Sequence, residues 1–521
     1  MSQAVAEPTD EVAEAPVAGT RGRLPLPVAA ALAVAGGLLT LLAFPPTYWW
    51  PTAPLGVAAL TFAVYGQRPR VGALLGLLYG VAFFPVLLFW VRVVGYDAWA
   101  VLSLIEALYL AGMGALLAVA VRLPYWPAWT ACLWVGQEFV RGRFPLGGFS
   151  WGRLAFAAAD SPYTQLAAVG GAVTVTFAVA LTGGLVVWSV RYFLSGSVRP
   201  GMVAAAGAVA VTLVGLVVPQ PAATGKSMTV AVIQGNVPRV GLNFLGQREA
   251  VLRNHAAATH ELADDIDAGK VPRPDFVVWP ENASDVNPFA DPGARKIIED
   301  AVADVGAPVL VGTLVETDDG KDLENTGIVW DPEEGPGDRY VKQHLVPFGE
   351  YVPFRPIMTK LVGRLDQIPR DMRPGTSPKP VSIGGYQVGD VMCFDVAFDD
   401  AVQKSMAGAG LLTVQTNNAT YGGTLQLEQQ FAVSRLRAVE YGRPVAVAAT
   451  SGISGVIEPD GEVRAKTGQF TRAVLVERLP VVTEQTLAQR LGPWPERLFV
   501  LVGLGAVGAA VYLRRRRVQG T

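Results

Sequence analysis

Cysteine is nearly missing from this chain, with two residues in 521, and histidine is almost as scarce with three. So few thiols give no disulfide framework, and Cys132, set in a continuous apolar segment, reads as a small hydrophobe. His255 and His260 stand five apart in a helical pattern and share no face, so no metal centre is expected, and nothing calls for a cofactor. Charge is thin as well: 17% of residues are Asp, Glu, Lys or Arg against 51% hydrophobic, at a mean hydropathy of +0.34. That balance is too apolar for a protein that lives wholly in water. A net charge of -2, without a basic patch interleaved with aromatics, gives nucleic acid no footing as a partner. No internal repeat is present.

What the chain has in plenty is apolar runs. Residues 1–20 are acidic, alanine-rich and free of aromatics, the composition of a disordered cytoplasmic tail. Arg21 and Arg23 then precede an apolar run with the flanks of a signal peptide, but more hydrophobic segments follow and no cleavage site is evident. It reads as a retained anchor. Segments 25–43, 53–66, 71–91, 98–121, 124–140, 165–190 and 202–218 give seven spans, the second and fifth short of the ~20 residues a bilayer needs. An eighth, 498–513, runs straight into Arg514, Arg515, Arg516 and Arg517. At ~1.5 Å per residue it reaches only ~24 Å, so flanking side chains must help it across.

Arginine placement sets the orientation. With the N-terminus inside, the inner loops hold Arg21, Arg23, Arg68, Arg70, Arg122, Arg191, Arg199 and the four terminal arginines, while the outer loops hold Arg92, Arg141, Arg143 and Arg153. Seven spans then carry the polar region 226–490 to the outer face. The loop from Glu138 to Arg153 breaks the trend. Its arginines beside aromatics and glycines suit a phospholipid head group, with Arg141, Phe149 and Trp151 as contacts, or equally a tightly packed interfacial loop.

The outer region alternates strand-like and helix-like segments, an α/β pattern. Strand-length runs lie at 228–233, 275–279, 308–314, 326–330, 388–393, 411–415 and 445–449, and helical spacing at 247–268, 294–305, 399–407 and 425–441. Pro272, Pro274, Pro332 and the glycines of 335–337 mark connecting loops. Three polar residues stand at the ends of apolar strands. Phe276-Val277-Val278-Trp279-Pro280-Glu281 ends in a carboxylate, and Tyr340-Val341-Lys342 offers a lysine. Asp390-Val391-Met392-Cys393 ends in a thiol, ahead of a helical pattern whose N-terminus would favour the thiolate. Singly, each has a plain reading: a buried structural cysteine, a surface carboxylate, a snorkelling lysine. His344 falls two residues after Lys342, on the same face if the strand continues, which leaves a Cys–His dyad as an alternative.

Glu281, Lys342 and Cys393, in this order, resemble the base, oxyanion stabiliser and nucleophile of the nitrilase (carbon–nitrogen hydrolase) superfamily. Trp279-Pro280-Glu281-Asn282, the run from Lys342 to Phe354, Gln234-Gly235-Asn236, and Arg435-Leu436-Arg437-Ala438-Val439-Glu440-Tyr441-Gly442-Arg443-Pro444 are together similar to the bacterial apolipoprotein N-acyltransferase family. The resemblance covers nearly everything beyond the first 20 residues. It implies a multi-pass α-helical membrane domain joined to an α/β nitrilase-like domain, an α-β-β-α sandwich, on the extracytoplasmic face of a bacterial inner membrane. The expected division is a tail at 1–20, seven spans within 21–222, a catalytic domain at 223–490, and a last span with a basic tail at 491–521.

The implied reaction moves an acyl chain from a membrane phospholipid, through a Cys393 thioester, to the α-amino group of the S-diacylglyceryl cysteine of an apolipoprotein. The implied state is a monomer. Glu350 would pair with Lys342 in a buried ion pair, and Asn236, Phe394 and Asp395 would support the site. Phe394-Asp395 stand where the family pattern has Tyr-Glu, and Thr416-Asn417-Asn418-Ala419-Thr420-Tyr421-Gly422 replaces a Trp-containing loop. The competing readings are a membrane-tethered nitrilase-type amidase, against which eight spans argue, and a non-catalytic scaffold that binds lipid or lipoprotein.

The arginine asymmetry yields a direct test of orientation. A reporter enzyme that works only outside the cytoplasm, fused after Val476, is expected to be active; a stable but silent fusion would reverse the topology.

Overall fold

The structure is a computed structural model and describes residues 23–237 and 248–519. The expected tail at 1–20, and Gln247 as a helix start, fall outside the described residues. Apolar helices at Leu26–Leu42, Thr52–Val64, Pro69–Leu87, Tyr96–Ala120, Trp126–Arg141, Ala172–Leu194, Val198–Leu213 and Trp494–Gln519 answer to the eight expected segments. Among the described residues, five stretches are long and apolar enough to cross a membrane: Pro69–Leu87, Tyr96–Ala120, Ala172–Leu194, Val198–Val217 and Trp494–Arg516.

Two boundaries differ from expectation. The last helix starts at Trp494 and has 26 residues, so it reaches ~39 Å without help from its flanks. The sixth starts at Ala172 instead of 165, because Gly171 takes a φ of 80°, which interrupts the helix where glycine alone sits without strain. Ahead of it the chain turns back through the short helical turns Leu154–Ala157, Thr164–Leu166 and Ala167–Gly170, most of them buried.

Small residues bring one helix pair into backbone contact. Gly72, Gly76 and Gly80 recur every fourth residue along Pro69–Leu87, and a Cβ at Gly76 would lie 2.0 Å from the Leu110 carbonyl oxygen of Tyr96–Ala120. In lipid, where burial of apolar side chains gives no net drive, such close approach is what holds helices together.

The α/β part contains two six-stranded sheets among the described residues. The strands are β1 (Ser227–Gln234), β2 (Phe276–Val278), β3 (Val309–Glu316), β4 (Leu323–Asp331), β5 (Gly335–Val341), β6 (Val381–Ile383), β7 (Tyr386–Met392), β8 (Leu411–Thr416), β9 (Val445–Ala449), β10 (Gly455–Ile457), β11 (Val463–Lys466) and β12 (Ala473–Pro480). One sheet runs β12-β1-β2-β3-β4-β5 and the other β11-β10-β9-β8-β7-β6. Strand β1 shows why these strands read as unbroken apolar runs. Met228, Val230 and Val232 face the space between the sheets, while Ala231 and Ile233 face the helices Arg248–Asp267 and Pro292–Val305, so both faces are buried. Helices Asp399–Ser405 and Gln426–Tyr441 cover the second sheet, and their apolar side chains belong to a core that continues into the membrane helices. The result is an α-β-β-α sandwich standing on a helical bundle. Strand β5 corrects the loop expected at 335–337: an antiparallel hairpin with β4 overrides its poor strand propensity.

Ion pairs lock the two parts together. Arg153, from the loop after Trp126–Arg141, donates to Asp399 at 2.9 Å and lies 3.5 Å from Glu138. Fully buried Arg437, on Gln426–Tyr441, pairs with the same Asp399 at 2.8 Å and with Glu440, and donates to the Val396 carbonyl at 2.9 Å. Arg435 pairs with Asp160 at 2.7 Å across the same boundary, while Arg143 pairs with Glu496 at 2.6 Å within the helical part. Buried Arg153 therefore meets carboxylates of the protein, since a buried guanidinium without a partner would be prohibitively costly, whereas half-exposed Arg143 is not under that constraint.

Burial would raise the Asp399 carboxyl, but the Arg153 and Arg437 guanidiniums outweigh it and hold it well below the usual carboxylate range. Its stabilising contribution is thus complete above the ordinary carboxylate pKa of about 4 and drains away as pH falls further. Arg437→Ala, which leaves Asp399 and Glu440 short of a partner, is expected to cost about 3–5 kcal/mol. Thermal unfolding in detergent at neutral pH should show the loss, and the gap to the parent should narrow under acid.

Candidate active site

Lys342 follows β5 directly, Cys393 follows β7 directly, and Glu281 lies three residues beyond β2. Side-chain length and strand register bring them to one place. The Lys342 ammonium donates to Glu281 Oε1 at 2.9 Å and to Glu350 Oε1 at 2.7 Å, with both lysine and Glu281 almost wholly buried. Burial alone would lower the lysine pKa; Glu281 and then Glu350 more than offset it and drive it well above the ordinary value. Each carboxylate is fixed in turn. Glu281 Oε1 also accepts from the Asn325 amide at 2.7 Å and Oε2 from the Asn417 backbone N–H at 2.8 Å. Glu350 Oε2 accepts from the Val346 N–H at 2.7 Å.

Cys393 has a φ of 48°, a left-handed conformation that few residues with a Cβ adopt and that recurs at functional turns. It opens a short 3₁₀ turn, Cys393–Ala397, and the α-helix starts only at Asp399. The expected helix N-terminus under the sulfur is absent, and so is its help to a thiolate. Burial, and next the charge of Glu281, push the thiol up to about 12, against a smaller downward pull from Lys342 and from a hydrogen bond with the Thr416 hydroxyl. The resting group is a thiol.

Asp395 ties two strand ends together. Its carboxylate accepts from the Tyr340 hydroxyl at 2.7 Å and from the backbone N–H groups of His344 at 2.7 Å and Gln343 at 3.2 Å, so the turn carrying Lys342 is clamped to the turn carrying Cys393. The Phe394 ring stands 5.7 Å from Phe149 and 6.4 Å from Trp151, bringing the loop of the helical part against the residue after the cysteine. Asn236 lies further off. Its backbone N–H donates to the Thr450 carbonyl, and the Thr450 hydroxyl donates to Asn417, which in turn holds Glu281.

One expectation and one alternative fail on geometry. Arg141 does not face a lipid head group: it is buried, pairs with Glu106 at 2.8 Å and donates to the carbonyls of Phe149 and Trp151. A guanidinium committed to that carboxylate and those carbonyls holds the loop in shape from within. His344 makes no dyad with Cys393, because β5 ends at Val341; its ring stacks 3.9 Å from Phe398 and its Nε2 bonds Asp400 at 2.9 Å.

The sequence reading passed over several neighbours. Asn325 sits inside β4 with nothing to mark it, and Tyr421 packs edge-on to Trp90 at 5.1 Å. Burial, and then the nearby Cys393, raise the Tyr421 phenol. Gln429 links the two parts through hydrogen bonds: its side-chain oxygen accepts from the Trp151 indole at 2.7 Å and the Trp90 indole at 3.1 Å, while its amide donates to the Leu87 carbonyl. Asn417 was visible only as part of the loop that departs from the family pattern.

The family model for the apolipoprotein N-acyltransferase N-terminal domain matches residues 36–185, and that for carbon-nitrogen hydrolases matches residues 229–489. A protein of Mycolicibacterium smegmatis named apolipoprotein N-acyltransferase is 39% identical over 505 residues, 92% of this chain and 84% of its own length. Another of that name, from Photobacterium profundum, is 29% identical over 93% of this chain and 95% of its own. A nitrilase-superfamily amidase from Nesterenkonia AN1, solved as a cysteine variant, is 20% identical over 50% of this chain and 93% of its own, at a TM-score of 0.35. Fold and family models together define an enzyme of the carbon–nitrogen hydrolase class carried on apolar helices. Within that class the chain belongs to the apolipoprotein N-acyltransferase family. It is an acyltransferase, and the match over 36–185 weighs against the amidase alternative.

A protonated resting thiol has a measurable signature. In a Cys132→Ala background, alkylation of Cys393 by iodoacetamide should be slow at neutral pH and still rising at about pH 10. Glu281→Gln removes the adjacent negative charge and should move the profile to lower pH; a plateau near neutrality in the parent would instead mean a stable thiolate.

Proposed function

We propose that the chain transfers an acyl group from a membrane phospholipid to the α-amino group of the S-diacylglyceryl cysteine of an apolipoprotein, in two steps through a thioester on Cys393. Glu281 takes the thiol proton as sulfur attacks the ester carbonyl, and Lys342 receives the oxyanion that forms. The carbon–oxygen bond breaks, Glu281 returns the proton to the departing glycerol oxygen, and lysophospholipid leaves. The acceptor amine then attacks the thioester, the carbon–sulfur bond breaks, and Glu281 passes the proton it takes from the amine to the departing sulfur, which restores the thiol. The supporting observation is the Lys342 ammonium held between Glu281 and Glu350. Proton transfer from sulfur neutralises Glu281 and frees the lysine from that carboxylate just when the oxyanion needs a cation, while Glu350 keeps the ammonium in place.

The same reading puts the catalytic part, 223–490, outside the cytoplasm at a bacterial inner membrane, between seven spans within 21–222 and a last span within 491–521, in a monomer. Tail residues 1–20 stay inside. The arginine asymmetry supports that orientation. Phe149, Trp90 and Phe394 pack around Trp151 next to Cys393, and their apolar surface would keep water from the thioester.

Purified protein given phospholipid alone should accumulate acyl-enzyme and lysophospholipid, and then discharge onto a diacylglyceryl-cysteinyl peptide. Cys393→Ala should abolish the acyl-enzyme and Cys132→Ala leave it intact, while Lys342→Ala should slow acylation by about two to three orders of magnitude. Steady release of free fatty acid, undiminished by added peptide, would identify a hydrolase.

A further inference from the structure

Beneath the site, between the two sheets, lies a polar cluster that the reaction above does not use. Asp390 is fully buried on β7, three residues before Cys393, and Gln415 is fully buried on β8, one residue before Thr416. Asp390 Oδ1 accepts from the Thr413 hydroxyl at 2.6 Å. The Gln415 amide nitrogen donates to the Trp279 carbonyl at 2.6 Å, two residues before Glu281. That leaves Asp390 Oδ2 and Gln415 Oε1, both buried and neither with a donor. The two meet over Gly327 of β4: a Cβ there would lie 2.3 Å from Gln415 Oε1 and 2.4 Å from Asp390 Oδ2, so the space a side chain would fill belongs to these oxygens.

Two acceptors do not face each other in a dry core without a proton between them. Turning the amide over does not help, because its oxygen would then oppose the Trp279 carbonyl. One arrangement satisfies every atom. We propose that Asp390 is a neutral carboxylic acid whose Oδ2 proton is donated to Gln415 Oε1, and that this bond is a positioning device setting the Cys393 strand against the Trp279–Glu281 strand end. The path runs Thr413, Asp390, Gln415, Trp279 carbonyl, and it joins the second sheet to the first directly below nucleophile and base. The titratable groups whose fields reach Asp390 favour this state. Burial is the largest influence and raises its pKa well above the ordinary value; the Thr413 hydroxyl and the Val391 N–H pull it down, but Asp395, on the turn after β7, and Glu281, beyond β2, add to burial and the net direction is upward. Tyr340, on β5, is held well above its ordinary value by burial first and then by the charge of Asp395, and stays a neutral phenol.

The sign of the linkage follows. A carboxyl with a folded pKa above its unfolded one stabilises the fold at low pH, and that contribution shrinks as pH rises past the unfolded value of about 4. Asn is the neutral isostere: its oxygen can accept from Thr413 and its nitrogen can donate to Gln415. Asp390→Asn is therefore expected to keep acyl-enzyme formation within about threefold of the parent and to flatten the fall of stability with rising pH, whereas Asp390→Val, which strands Gln415 Oε1, should slow acylation about tenfold or more with KM for phospholipid little changed. The kinetic arm rests on Cys393 as the acyl carrier; an infrared arm does not. The difference spectrum of parent minus Asp390→Asn at neutral pH should contain the carbonyl band of a protonated carboxylic acid. A carboxylate band in its place, or an Asp390→Asn variant as slow as Asp390→Val, would overturn the proposal, and the infrared outcome stands even if Asp390→Val fails to fold or Cys393 proves not to carry the acyl group.

Discussion

A lysine ammonium taken out of water is costly, and the catalytic centre is arranged around meeting that cost. Lys342 lies buried with one carboxylate on either side, at 2.9 and 2.7 Å. An isolated buried ammonium would lose its proton instead of its hydration. Two carboxylates keep it charged, but they must themselves be held, and they are: by Asn325, by the Asn417 N–H and by the Val346 N–H. Those groups come from β4, from the loop after β8 and from the turn after β5, so the ion cluster exists only when both sheets are in register. Burial first, and then the negative charge of Glu281, hold the Cys393 thiol protonated at rest.

The helical part is bound to this centre by polar groups that apolar packing alone would not specify. One oxygen of Gln429 accepts from two indoles, Trp90 and Trp151, that belong to different segments of the helical bundle. Trp151 then stacks on Phe394, next to the nucleophile. Asp399 does the same with charge, taking Arg153 from the helical part and Arg437 from the sandwich. Such contacts are directional. They set the angle at which the sandwich stands on the bundle, whereas a greasy interface would tolerate sliding.

Much of this was legible in the sequence because the signals were long or local. Eight apolar runs announced eight helices, and three polar residues at strand ends, Glu281, Lys342 and Cys393, proved to lie at converging strand ends. What stayed hidden depends on partners distant in the chain. Strands β5, β6, β10 and β11 are short or glycine-bearing and gain their bonds from neighbours, so no local period betrays them. Arg141 looked like a head-group contact because its partner Glu106 is 35 residues away on another helix. Asn325 and Gln415 are polar residues inside apolar strands; Glu281, beyond another strand of the same sheet, explains the first, and the Trp279 carbonyl on the facing sheet explains the second. The thiolate inferred from a helix start at Cys393 failed for a nearer reason: five residues of 3₁₀ turn intervene before Asp399, a distinction that spacing does not resolve.

The imbalance of two carboxylates to one cation bears on the second half of the proposed reaction more than on the first. Acylation begins with a neutral thiol and a neutral ester, and the surplus charge of Glu281 and Glu350 only makes the thiol harder to ionise. Once the sulfur is esterified that penalty disappears, since a thioester has no proton to lose. The incoming nucleophile is then an α-amine, which arrives largely as an ammonium below its pKa of about 8. A net negative pocket attracts that cation, and Glu281, still bonded to Lys342 and the Asn417 N–H, is placed to take its proton. Water carries no charge and gains nothing from the same field. The electrostatics that slow the first step therefore favour an amine over water in the second, which is the selection a transferase requires and a hydrolase does not.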